Sequence, residues 1–84
     1  MALNQAQQAH VNGAFPECRS KIAKYLEENA EVVVYRQNEC GSDVEPYAVA
    51  PKVEHDFWLG CWDTPELAAA QACVLGLRVV EVTP

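Results

Sequence analysis

A chain of 84 residues, half of them hydrophobic and with a net charge of −6, has room for one thin core and none for a second domain or a deep interior site. The acidity disfavours nucleic acids and anionic membranes as partners, because both require a positive footprint. No apolar run approaches the ~20 residues that span a bilayer, and Met1 to Gln8 lacks the basic start and apolar stretch of a secretory signal, so a soluble cytoplasmic protein with reduced thiols is expected.

The charge is unevenly spread. Residues 1–26 carry one acid against three bases (+2), residues 27–56 eight against two (−6), and residues 57–84 three against one (−2). The middle of the chain is therefore an acidic surface suited to solubility or to a basic protein partner.

In chain order, residues 2–11 are rich in alanine and glutamine and predict a short, loosely attached helix that Asn12-Gly13 ends. Pro16 opens a stronger helix over 16–29, with Phe15, Cys18, Ile22, Tyr25 and Leu26 as its buried stripe and Asn29 as its stop. Val32, Val33, Val34 and Tyr35 form a continuous β-branched and aromatic run, which predicts an interior strand over 31–37. Residues 38–46 hold Gly41, Ser42, Asp43 and Pro46 and read as a loop. Tyr47 to Val53 predicts a second strand that Pro51 makes an edge or cuts short.

The stretch from Phe57 to Val82 carries the clearest punctuation. A strand through Trp62 is followed by Asp63 or Thr64 as helix cap, Pro65 in the first turn and Glu66 at the positive end of the helix dipole. With Asp63 as cap, Glu66 would close a capping box. Leu67, Ala70 and Val74, with Ala68, Ala72 and Leu75, give a broad apolar helix face. Gly76 suits a left-handed stop with Leu77 as its hydrophobic partner, and Arg78 to Val82 predicts a last strand.

The elements then run α-α-β-β-β-α-β in a single α+β domain, residues 1–84. Three consecutive strands form a meander, and a helical crossover returns the fourth strand beside the first. The result is a four-stranded mixed sheet in the order 4-1-2-3. Strict alternation would turn Phe57, Leu59 and Cys61 toward the helices and Trp58 and Trp62, with Val33 and Tyr35 or their alternates, toward the opposite face. That face would be either covered by the N-terminal helix or open as an interface.

Catalytic constellations are weak. His55 and Asp56 diverge as neighbours on a strand, and His55 lies roughly 20 Å along an extended strand from Cys61, so they make no nucleophile–base pair. Cys61 and Cys73 read as buried structural thiols and Cys40 as an exposed one. Cys18, Cys40, His10 and His55 have no metal-ligand spacing, and the four glycines stand alone, without a phosphate loop. No catalytic residue, metal or cofactor is expected. The residues expected to bind a partner are Trp58, Trp62 and Tyr35 as aromatic anchors and Glu39, Asp43 and Glu45 from the acidic segment. The chain therefore reads as a non-enzymatic protein–protein interaction module, a small acidic inhibitor or adaptor for a basic protein. The alternative is a small enzyme or ligand-binding protein whose pocket forms at a homodimer interface.

Overall fold

The computed structural model describes residues 3–37 and 45–83. Helix α1 spans Gln5–Asn12, α2 Pro16–Glu27 and α3 Pro65–Val74, and the strands are β1 Glu31–Arg36, β2 Tyr47–Pro51, β3 Gly60–Trp62 and β4 Arg78–Val82. The strand order is β3-β2-β1-β4. β2 lies antiparallel to both β1 and β3, and β4 runs parallel to β1. This is the four-stranded mixed sheet that the element order predicts, with the valine run of β1 inside it.

Local chemistry explains the helix boundaries. In α1, the Gln7 N–H donates to Asn4 Oδ1 and the Asn4 N–H to Gln7 Oε1, so two unpaired donors of the first turn are satisfied reciprocally. α2 ends at a left-handed Asn29 (φ 51°), after which the Ala30 N–H returns to the Tyr25 carbonyl. α3 is capped by Thr64, whose hydroxyl accepts from the Leu67 N–H at 3.0 Å. Thr64 thus takes the place that the capping-box reading gives to Asp63. Gly76 (φ 80°) ends the last helix, and the Leu77 N–H bonds back to the Ala72 carbonyl while its side chain enters the core.

The pairing register fixes the faces. Val34 opposes Val49, which in turn opposes Gly60, and Val32 opposes Pro51. The buried apolar residues of the three helices (Val11, Ile22, Leu26, Ala68, Ala72) form one cluster with Val32, Val34 and Val49. All three helices therefore cover one side of the sheet. The other side presents Val33 opposite Ala50, and Tyr35, Ala48 and Cys61 in a row.

Three expectations need correction. The third strand is short: residues 52–58 turn rather than extend, with the Glu54 N–H bonded to the Pro51 carbonyl and the Phe57 N–H to that of Glu54. Phe15, placed on the buried stripe of α2 by its spacing, is 74% exposed because it is the cap residue just outside the helix. α3 buries Ala68 and Ala72, with Leu75 buried at its C-cap, and leaves Leu67, Ala70 and Val74 exposed, so the buried face is narrower than the spacing suggests.

Candidate functional site

The most organised polar and aromatic group outside the core is built on Tyr35. β1 projects Tyr35 from the side of the sheet away from the helices, and the turn segment after β2 brings His55 and Trp58 to it. The Trp58 indole N–H donates to Tyr35 Oη at 2.6 Å, and the Tyr35 hydroxyl donates to the His55 carbonyl at 2.7 Å. The His55 ring stands 6.4 Å from the Tyr35 ring at a tilt of 33°. One hydroxyl thus holds two chain segments and fixes the indole. Trp58 remains 40% exposed, while Val33, Ala48 and Ala50 on the same side of the sheet are buried.

Trp62 does not join this group. It opposes Tyr47 in the β2–β3 register, packs against the helix-side core and stacks on His10 of α1, with ring centroids 6.2 Å apart at 13°. His10 is anchored in turn, its Nε2 lying 2.7 Å from the Leu59 carbonyl oxygen. The cause is a break in alternation. Leu59 precedes the strand and is buried in the helix-side core, and Gly60, opposite Val49, lies on that side too. The regular phase therefore begins one residue late, which sends Cys61 away from the helices and Trp62 toward them. Gly60 is required by this arrangement, since a Cβ there would sit 2.6 Å from the Trp62 ring. Trp62 covers the glycine of an edge strand, a known means of steadying such a position.

Of the acidic residues expected at the interface, Glu45 is exposed beside the start of β2, and Glu39 and Asp43 lie outside the described residues, as does Cys40. Cys73 is exposed on α3 and Cys61 is half-buried, so neither is the fully buried thiol that the sequence suggests. Sequence spacing gave no sign of a second network. Glu54 receives a hydrogen bond from Lys21 Nζ at 2.5 Å and another from Tyr25 Oη at 2.9 Å, and Lys21 lies 4.6 Å from the centre of the Phe57 ring. The Lys21 bond, then the Tyr25 bond, hold the Glu54 carboxyl below its ordinary range. The same carboxylate raises the pKa values of Lys21 and Tyr25. This network ties α2 to the turn that carries His55 and Trp58.

A cleft of about 240 Å³ lies where α2 runs into β1. Glu28, Glu31, Lys52 and Arg78 are among its lining residues, so its formal charges balance, and neither histidine nor cysteine lines it. Among the described residues, no group of three or more His, Cys, Asp or Glu side chains is placed to hold a metal ion, and no helix is long and apolar enough to cross a membrane. Compared with known proteins, the chain matches no family model, no curated sequence and no solved structure.

Proposed function

We propose that the chain is a non-enzymatic protein–protein interaction module, an acidic inhibitor or adaptor, anchored on its partner by Trp58. The observation that carries this reading is the exposed indole held by Tyr35, itself bonded to the His55 carbonyl. A large aromatic side chain already fixed before binding loses little rotamer freedom when a partner covers it, which is the usual character of an interface anchor. The acidic segment 27–56 leads directly to this site and supplies long-range attraction for a basic protein. Trp62 has no part in the interface, because it is spent on α1.

The test is an affinity capture from the natural producing cell with wild type, Trp58→Ala and Glu45→Lys, each checked by circular dichroism. A stoichiometric basic partner that is lost with Trp58→Ala, and bound more weakly with Glu45→Lys or at raised salt, supports the reading. A partner retained by Trp58→Ala, or no partner at any salt concentration, overturns it.

A further inference from the structure

The turn that carries His55 and Trp58 already holds one cation, and it does so with two residues of its own. Lys21 Nζ lies 4.6 Å from the centre of the Phe57 ring and 2.5 Å from a Glu54 carboxylate oxygen. The ring supplies an electron-rich surface and the nearby carboxylate supplies the counter-charge. Asp56 and Trp58 repeat that combination of residue types two positions apart. Asp56 is exposed and forms no ion pair with a described residue, and Trp58 is 40% exposed.

The hydrogen bonding of the indole narrows what can meet it. Its N–H is its only polar group, and that group donates to Tyr35 Oη. The Tyr35 proton is given in turn to the His55 carbonyl. The exposed indole therefore has no donor left and offers a partner only ring surface. Such a surface takes an apolar group or a cation. The Asp56 carboxylate beside it in sequence, at the end of the acidic segment 27–56, selects the cation.

We propose that this place takes an arginine side chain of the partner, its guanidinium stacked on the Trp58 ring with Asp56 as counter-charge. The proposal rests on the reading of Trp58 as the anchor for a basic protein and names the chemistry that meets it. Arginine fits better than lysine, because its planar group lies flat on a ring while the N–H donors at its edge turn to a carboxylate.

Nuclear magnetic resonance of the isotope-labelled full chain tests this. The chain has two tryptophans, so two indole N–H signals are expected, and Trp62→Phe assigns them. The probe is the peptide acetyl-Gly-Arg-Arg-Gly-amide at low salt, beside the same peptide with citrulline, which is neutral and of the same shape, or with lysine. The arginine peptide should move the Trp58 signal saturably and leave the Trp62 signal in place. The citrulline peptide should bind at least about fivefold more weakly, and the lysine peptide should fall between the two. Trp58→Leu and Asp56→Asn, both checked by circular dichroism and read from the backbone amides of the turn, should each weaken arginine binding about threefold or more.

A Trp58 signal that the arginine peptide does not move overturns the proposal. So does equal binding of the arginine peptide and either substitute, which requires no variant to fold. Arginine binding that Trp58→Leu leaves unchanged also overturns it, since attraction to the acidic surface alone would behave that way. A partner captured through Trp58 while the peptides show no preference would strike only the assignment to arginine, whereas a partner retained by Trp58→Ala would strike the reading beneath it.

Discussion

Trp58 and Trp62 stand four residues apart and share one chemistry, yet they end on opposite sides of the sheet in opposite roles. Trp62 packs on the helix side, against His10 and over Gly60. Trp58 keeps two-fifths of its surface in solvent and uses its N–H on Tyr35. The difference teaches that the side of the sheet, rather than residue type, decides whether an aromatic group stabilises the fold or is left for a partner. Burial among the helices consumes Trp62. On the other side, the cover comes from single side chains, and one of them is left outward.

The comparison can be broken most severely from the helix side. Leu26 lies fully buried where α2 meets the sheet, and Leu26→Ala should cost about 2–5 kcal/mol in urea unfolding. Trp62→Ala should cost about 2–4 kcal/mol, a little less because the ring is only partly buried. Gly60→Ala sharpens the point without touching either tryptophan. The added methyl displaces the indole from His10, at about 1–3 kcal/mol and with a red shift of Trp62 fluorescence in a Trp58→Phe background. Trp58→Ala should cost only about 1 kcal/mol in stability, the worth of one hydrogen bond and partial burial, while removing at least about 2 kcal/mol of partner binding. Equal destabilisation by Trp58→Ala and Trp62→Ala would erase the distinction.

The smallest effect is a pH dependence carried by Glu54. Its carboxyl ionises more easily folded than unfolded, so its contribution is complete above the ordinary carboxylate range and is lost as pH falls through the folded value. Lys21 and Tyr25, both raised, contribute below their ordinary values and lose that contribution as pH climbs through the folded ones. Thermal midpoints of wild type and Glu54→Gln should therefore differ most between these limits and converge toward acid. A difference that persists at low pH would show that Glu54 acts through packing instead of charge.

Much of the fold was legible because its signals are local. Pro65, Gly76 and Leu77 lie within a dozen residues and mark α3 by backbone chemistry alone, and the valines of β1 demand neighbours on both sides. Chain direction and the crossover then dictate the strand order. The candidate site was legible only in part, because its geometry is set from afar. Glu54 turns the chain by reaching Lys21 and Tyr25, which are 33 and 29 residues away in sequence. Trp62 turns inward because His10, at the other end of the chain, is there to stack on it. Alternation assumes an extended strand from Phe57 onward, and these remote contacts are what shorten it. Tyr35 and Trp58 were identified by type, but the hydroxyl that joins them to His55 has no signature in spacing.

The placement of β4 beside β1 also governs when the molecule can become itself. β1, made before the other three strands of the sheet, is one of its two interior strands, and its second neighbour is made of residues 78–82. α1 waits for the same region, since the Gln7 side chain donates to the carbonyl of Leu75. A nascent chain can pair β1 with β2 early, but it holds an unfilled valine edge until the last strand emerges. Assembly therefore waits until residues 78–82 have emerged, and the interval before it is when this region is most exposed to aggregation.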